Sequence, residues 1–149
     1  VLVLKNNIQV KIIAGAREGT VGPIPGLSTD PYYFDVHLGP SAAFEAPLPT
    51  GHNAFLYLYE GNAFVGEERK TLENRTAGLL SDGDSVRIAA GGKGARALLL
   101  AGKPIREPIV QYGPFVMNTR EEIEQAISDY QSGAFSREQV KRIKVAQPG

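Results

Sequence analysis

The sequence contains no cysteine, and this absence excludes three kinds of chemistry. Without a thiol, the chain can form no disulfide, supply no thiolate to a metal ion and use no cysteine nucleophile. A cysteine-free chain suits a reducing compartment, in which disulfides are rare. Because no signal-peptide pattern follows Val1 either, we expect a cytoplasmic protein.

The sequence also lacks an excess of charge and a long apolar run. Lysine and arginine number 16 and aspartate and glutamate number 16, so the formal net charge is zero. A neutral chain has no electrostatic attraction to nucleic acid or to an anionic membrane surface. No apolar run approaches the roughly 20 residues that a membrane-spanning helix needs. We therefore expect neither nucleic acid nor a membrane as a direct partner.

What the sequence does contain favours β-structure. Its 149 residues suit one domain, and 17 glycines and 10 prolines separate short apolar runs. Glycine-rich residues 91–94 are interpreted as a mobile hairpin loop, because Lys93 lacks the following serine or threonine of a phosphate-binding loop. Short strands at regular spacing are typical of a β-sandwich or barrel. Strands are predicted over residues 1–4, 8–14, 32–38, 42–48, 54–60, 63–65, 71–72, 85–89 and 95–101.

Residues 54–60 are apolar on both faces of the predicted strand, with three aromatic side chains opposite two leucines. This pattern predicts a central strand that is covered on both sides. Core packing is the favoured role of the aromatic residues. The alternative is a cavity for a small apolar ligand, lined by Phe55, Tyr57, Tyr59 and Phe64.

The pattern becomes helical near the carboxyl terminus. Thr119 and Glu122 have the spacing of a capping box, in which each side chain bonds to the other residue's amide. Gly133 is well placed to end this helix. A second short helix is predicted over residues 136–143, with Ser136 as its cap.

Several segments resemble a known family. Residues 47–61, from Pro47 to Gly61, and the turn at 81–85 resemble the cupin barrel motif. The tail closely resembles the carboxy-terminal domain of the pirin family, above all in the string Tyr112-Gly-Pro-Phe-Val-Met-Asn118. The resemblance covers nearly the whole chain. It implies an all-β, cupin-type β-barrel (a double-stranded β-helix, jelly-roll-like) over residues 1–103, then an extended tail with one or two short helices over residues 104–149, in a single domain 1–149.

The resemblance also implies where the family's chemistry lies. Pirins are bicupins whose amino-terminal barrel binds iron or another divalent metal through three histidines and a glutamate. The intact two-domain family is associated with quercetin dioxygenase activity, and its carboxy-terminal barrel normally holds no metal. In this chain the matching ligand places fall on Pro47, Pro49 and Asn53, and residues 96–98 contain no histidine. We therefore expect no metal, cofactor or catalytic residue here, and no enzymatic activity of the chain alone.

The two histidines of the chain permit one further metal hypothesis. His37, His52 and Glu45 together would supply two imidazoles and a carboxylate, a set that can hold iron. His37, however, lies opposite the apolar face of its strand, and His52 lies in a turn. Ordinary surface or hydrogen-bonded histidines are the favoured interpretation.

Residues 106–118 combine two prolines and a glycine with many apolar side chains. The prolines and the glycine predict an irregular segment, and its apolar residues would form a large patch if exposed. The corresponding tail of pirins helps to hold their two barrels together. A domain or subunit interface is therefore predicted at Ile109, Tyr112, Phe115 and Met117, against this chain's own barrel, an amino-terminal barrel or a second copy in a homodimer.

Three hypotheses for function follow from the sequence and the resemblance. The first is a metal-free barrel with a structural or protein-interaction role that completes a bicupin. The second is a part of an iron-dependent quercetin 2,3-dioxygenase whose metal lies in an amino-terminal barrel outside this chain. The third is a barrel that binds a small molecule. Val1 in place of methionine leaves open a processed product, a trimmed chain or a piece of a longer protein.

Overall fold

The computed structural model describes residues 1–26 and 28–134, which form β-strands and a helix. The chain divides into two compact units, Val1–Ile105 and Arg106–Gly149. The helix predicted over 136–143 lies outside the described residues. The elements are β1 (Leu2–Leu4), β2 (Ile8–Ala14), β3 (Ala16–Arg17), β4 (Thr20–Val21), β5 (Tyr32–Leu38), β6 (Ala43–Pro47), β7 (Asn53–Val65), β8 (Lys70–Leu72), β9 (Thr76–Leu79), β10 (Ser85–Gly102), β11 (Val110–Tyr112), β12 (Phe115–Met117) and α1 (Arg120–Ser132).

The first unit is an antiparallel sheet that changes partners along its two longest strands. Its strand order is β1-β2-β5-β10-β7-β8, with β6 also paired to β10 and β9 also paired to β7. Residues 95–101 of β10 pair with β5, whereas residues 85–89 pair with β6. Both parts of β10 pair with β7. The two halves of β10 therefore have different second partners, as do the two halves of β7, which pair with β9 and β8. The strand order is open, since β1 and β8 are not paired with each other.

Glycines bend β7 and β10 at the same level. The register between these strands shifts between Ala90 and Ala95. Gly61 (φ 81°) and Gly94 (φ 85°) occupy the left-handed region, which favours glycine. A Cβ atom on Gly61 would overlap the carbonyl oxygen of Gly94. The prediction of a loop over residues 91–94 is wrong, because these glycines bend the strand without ending it.

The core lies on the face that alternate residues of each strand share. The predicted alternation of β5 is confirmed, with Phe34, Val36 and Leu38 buried. Complete burial of one such side chain stabilises the fold by about 1.5–3 kcal/mol. The largest fully buried side chains are Phe34, Leu56, Leu58, Ile88, Leu99, Val10 and Val36.

The outer face of β7 departs from the prediction of a strand covered on both sides. Phe55 and Tyr57 are 37% and 36% exposed, whereas Leu56 and Leu58 are fully buried. The prediction is wrong because the sequence shows only which side chains are apolar. Packing against other elements decides which of them are covered. The two strands predicted over residues 1–4 and 8–14 are present as β1 and β2, which pair in antiparallel register.

The second unit contains a hairpin and a helix. Strands β11 and β12 pair in antiparallel register across Gly113 and Pro114, and α1 packs against them. Gly113 has a φ of 55°, so the glycine and proline predicted to prevent regular structure instead form the turn of the hairpin. No helix in the described part of the chain is both long and apolar enough to cross a membrane.

The predicted limits of α1 are confirmed. The Thr119 hydroxyl accepts a hydrogen bond from the Glu122 amide at 3.2 Å, and the Glu122 carboxylate accepts one from the Thr119 amide at 2.9 Å. This is the capping box that the sequence indicated. Gly133 ends the helix in the left-handed conformation, with φ 71°.

Candidate functional site

The residues at the cupin ligand places do not form a metal site. Pro47 is exposed at the end of β6, Pro49 lies in the following loop, and Asn53 is exposed at the start of β7. In the range 96–98 the buried residue is Ala97. Proline and alanine side chains have no donor atom, so this set does not fit a metal ion. The described residues also contain no group of three or more His, Cys, Asp or Glu side chains that could hold one.

The structure does not bring the three residues of the further metal hypothesis together, since Glu45 and His52 line one cavity and His37 lines another. His52 Nε2 donates to the backbone carbonyl oxygen of Asp30 at 3.2 Å and also lies 3.5 Å from the Asp30 carboxylate. The His52 ring meets the Tyr32 ring edge-on. Glu45 is exposed on β6, where it pairs in register with Arg87. His37 takes part in a separate cluster on β5, described below.

A cavity of about 580 Å³ is lined by residues of β6, β7, β8, β9 and β10 and of the loops that connect them. Glu67 faces the Arg87 guanidinium at 3.8 Å, and Glu68 faces the Lys70 ammonium at 3.0 Å. An apolar wall with a few polar groups at its rim is the usual composition of a small-molecule site. The apolar lining comprises Leu48, Ala54, Leu56, Val65, Leu72, Leu79, Leu80 and Val86, and the charged or polar lining includes Glu45, His52, Glu67, Glu68, Lys70 and Arg87.

The four aromatic residues predicted to line a cavity are not among the side chains that line this one. Phe55 and Tyr57 lie on the outer face of β7, and Tyr59 is half-buried on the same face. Phe64 lies beneath the Arg69 guanidinium, whose carbon is 4.7 Å from the ring centroid. Phe55 and Tyr57 point away from Leu56, whose side chain lines the cavity. A ligand role for these aromatic residues stays a prediction.

The structure brings together a cluster that the sequence did not indicate: Asp35, His37 and Tyr59. The Tyr59 hydroxyl donates to Asp35 Oδ1 at 2.7 Å and lies 2.9 Å from His37 Nε2. His37 Nε2 is also 3.1 Å from Asp35 Oδ1. Arg96 and Glu60 form an ion pair at 3.2 Å on neighbouring residues of β10 and β7.

A β-bulge positions Tyr59 in this cluster. Arg96 pairs with Glu60 and the next residue, Ala97, pairs with Leu58, so Tyr59 is the extra residue of β7. Bulges of this kind redirect a side chain. Alternation in the sequence places Asp35 and His37 on one face of β5, but the register that adds Tyr59 depends on strand pairing.

Burial raises the pKa of Tyr59 above its usual range, and the hydrogen bond and negative charge of Asp35 raise it further. The hydroxyl therefore stays protonated and donates a hydrogen bond to the Asp35 carboxylate. Because that proton is committed to Asp35, the Tyr59 oxygen is an acceptor toward His37 Nε2. The cluster is thus a closed set of hydrogen bonds on the outer face of the sheet.

Three of the predicted interface residues lie on the hairpin of the second unit, and Ile109 directly precedes it. Ile109 and Tyr112 are 79% and 67% exposed. Phe115 and Met117 are half-buried, and the Phe115 ring meets Tyr130 of α1 edge-on at 6.2 Å. Two of the four residues therefore present apolar surface to solvent, and an interface role for all four stays a prediction.

The fold defines the class of protein. Paired antiparallel strands that share two long bent strands, around one apolar core, are the architecture of a cupin. A solved quercetin 2,3-dioxygenase from Acinetobacter baumannii aligns with a TM-score of 0.78 and 30% identity, over 91% of this chain and 46% of that protein. The cupin fold predicted from the sequence is confirmed.

The chain belongs to the pirin family, because residues 33–136 match the Pirin C-terminal cupin domain. A pirin-like protein of Caulobacter vibrioides is 46% identical over 129 residues, which are 86% of this chain and 46% of that protein. A Pseudomonas aeruginosa protein that is provisionally named a quercetin 2,3-dioxygenase is 45% identical, over 87% of this chain and 47% of the relative. This chain spans about half the length of these relatives.

Proposed function

We propose that this chain is a metal-free pirin-type barrel whose role is structural: it binds a second cupin barrel and completes a bicupin. The donor set carries the proposal, because Pro47 and Pro49 stand where a cupin metal site needs histidines. The half-length match to the relatives fits the same proposal. We further propose that the protein works in the cytoplasm.

The proposed binding surface is the hairpin of the second unit, centred on Ile109 and Tyr112. Their exposure would be unfavourable in water, and aromatic residues often contribute most to protein interfaces. An amino-terminal cupin barrel is the favoured partner. A second copy of the chain is the alternative.

Two measurements test this proposal. The first is the mass of the protein made by its native cells, detected with an antibody against this chain. A product near twice the 16.0 kDa of the chain supports the bicupin. The second is sedimentation of the purified chain with and without an amino-terminal barrel. The proposal is contradicted if the native product has a mass of 16.0 kDa and the purified chain also stays monomeric, both alone and when mixed with the amino-terminal barrel.

The interface residues can be tested in the same binding experiment. Tyr112→Ser and Ile109→Ser are each expected to weaken assembly about tenfold or more, because truncation of a central interface residue often costs above 1 kcal/mol. Leu79→Ser is the control, since Leu79 is 89% exposed but lies in the first unit. Equal binding by all three variants would place the interface elsewhere.

A second candidate function is participation in quercetin oxidation. The names of the Acinetobacter and Pseudomonas relatives favour it. Under this hypothesis iron or another divalent metal would be held by an amino-terminal barrel. Turnover should therefore require that barrel, and the chain alone should neither retain iron nor consume quercetin. Stoichiometric iron and turnover in the chain alone would overturn the structural proposal as well.

The cavity of about 580 Å³ favours a third candidate, the binding of a small apolar ligand. Its volume is within the usual range for small-molecule sites. Leu56→Trp is expected to fill the apolar wall and abolish such binding, whereas Phe55→Trp, on the opposite face of β7, should not. Calorimetric titration of both variants with quercetin as the probe is the measurement, and equal affinity would exclude this cavity as the site.

A further inference from the structure

A second cavity, of about 460 Å³, lies where β2, β5, β7 and β10 meet, beside the Asp35, His37 and Tyr59 cluster. It is independent of the residues on which the proposed function rests. Its walls are mainly polar, and we call it the polar groove. The side chains that define it are Asn7, Gln9, His37, Glu60, Lys93 and Arg96.

The charge of the polar groove favours an anion. Lys93 and Arg96 supply two positive charges, and Glu60 supplies one negative charge. Arg96 pairs with Glu60 at 3.2 Å, whereas Lys93 makes no ion pair within the described part of the chain. The Lys93 ammonium is therefore available to a ligand, and a guanidinium has further N–H groups beyond those that face Glu60.

The backbone gives the polar groove room for a ligand. Gly39, Gly61 and Gly94 line it without side chains. Gly61 and Gly94 are the residues at which β7 and β10 bend, so the bend that shapes the fold also opens the groove. Asn7 and Gln9 also line the groove, and their side-chain amide groups can donate hydrogen bonds.

The neighbouring cluster holds one wall in place. His37 Nε2 is bound to Asp35 and Tyr59, which fixes the imidazole at the edge of the groove. Asp35 is itself satisfied by the Tyr59 hydroxyl and His37. Asp35 is not among the residues that line the groove.

We propose that the polar groove binds a small oxyanion, either the carboxylate of an organic acid or the phosphate of a small ester. Lys93 and Arg96 are the charge partners, and Asn7 and Gln9 donate hydrogen bonds. This differs from the phosphate-binding loop considered for residues 91–94. There, backbone amides at a strand–helix junction would cradle the ligand, whereas here the side chains of Lys93 and Arg96, both on β10, would bind it.

Calorimetric titration and backbone amide NMR of the 149-residue chain test the proposal, with inorganic phosphate and citrate as separate probes. Either probe should bind and shift the amide signals of Gln9, Lys93, Gly94 and Arg96. Tighter binding of citrate would identify a carboxylate site, and tighter binding of phosphate a phosphate site. Sodium chloride at matched ionic strength should not produce these shifts; if it does, the proposal fails.

Variants separate a specific site from general attraction. Lys93→Gln and Arg96→Gln should each weaken binding about tenfold or more, because each removes a charged hydrogen-bond donor. Lys103→Gln removes the same charge at an exposed residue outside the groove and should change affinity less than about twofold.

Glu60→Gln provides a test with the opposite sign. It removes the carboxylate that competes for Arg96, so affinity should rise. If the Arg96–Glu60 pair had only a structural role, both Arg96→Gln and Glu60→Gln would weaken anion binding. Absence of binding by both probes at about 1 mM, or equal weakening in the Lys93→Gln and Lys103→Gln variants, would overturn the proposal.

Discussion

At the scale of single residues, the most informative side chain is Tyr59. Its neighbours Phe55 and Tyr57 alternate regularly on the outer face of β7, but the bulge directs Tyr59 toward Asp35 and His37. From the sequence, Tyr59 is an aromatic residue in a strand. The structure shows that its hydroxyl also donates a hydrogen bond to the Asp35 carboxylate. The chemical role of this residue thus depends on the register of two strands.

The raised pKa of Tyr59 predicts a loss of stability at alkaline pH. Tyrosine in an unfolded chain titrates near pH 10. Above that pH the unfolded chain releases the Tyr59 proton while the folded chain retains it, so the free energy of unfolding falls as pH rises. The extra stability is fully present below about pH 10.

Urea unfolding from neutral pH to above pH 10 checks this prediction. Tyr59→Phe should lose about 0.5–1.5 kcal/mol at neutral pH, through the missing hydrogen bond. It should also decline less steeply at alkaline pH than the unsubstituted protein. Tyr57→Phe, at the exposed tyrosine two residues earlier, is the control. Parallel pH profiles for all three proteins would contradict the assignment.

At the scale of elements, two local devices determine where strands and the helix bend or end. Paired glycines bend β7 and β10, and the capping box begins α1. The helix cap could be predicted because its bonds join residues only three apart. The strand bend could not, because Gly61 and Gly94 meet only after β7 and β10 have paired.

Substitution of the bend glycines should be costly. Gly61→Ala places a methyl group against the Gly94 carbonyl and a side chain in the left-handed region, so we expect a loss of about 1–3 kcal/mol or more. Gly92→Ala is a matched control in the same bend, because a Cβ atom there meets nothing within 4 Å. Chemical denaturation of both variants measures the difference, and equal stability would show that the bend does not require glycine at residue 61.

The helix cap offers a second test at this scale. Thr119→Ala should destabilise α1 by about 1 kcal/mol, since the Glu122 amide loses its acceptor. Ser128→Ala, at an exposed residue within α1, should have a small effect of opposite sign because alanine favours helices. Hydrogen exchange of the α1 amides reports both effects. Faster exchange in the Ser128→Ala variant alone would contradict this account.

At the scale of the whole molecule, one apolar cluster joins the strands of the first unit. It draws side chains from β2, β5, β6, β7, β8 and β10, so residues distant in the sequence stabilise one another. The second unit has its own hairpin and capped helix. Function at this scale is proposed to come from association with another barrel.

Truncation in the common core should affect the entire first unit. Leu58→Ala should lower the free energy of unfolding by about 2–5 kcal/mol, because Leu58 is fully buried and its removal leaves a cavity. Leu79→Ala should change it by less than about 0.5 kcal/mol, since Leu79 is 89% exposed. Thermal unfolding of both variants tests this contrast, and a similar loss in each would contradict the described core.

The sequence by itself determined the alternating core face of β5, the cap of α1 and the proline residues at the cupin ligand places. These features depend on residue chemistry or on neighbours a few positions apart. Only the tertiary structure decided that β10 continues through residues 91–94, that Phe55 and Tyr57 remain exposed, and that Tyr59 joins Asp35 and His37. Each of these depends on pairing between distant strands, and strand register is a property of the assembled sheet.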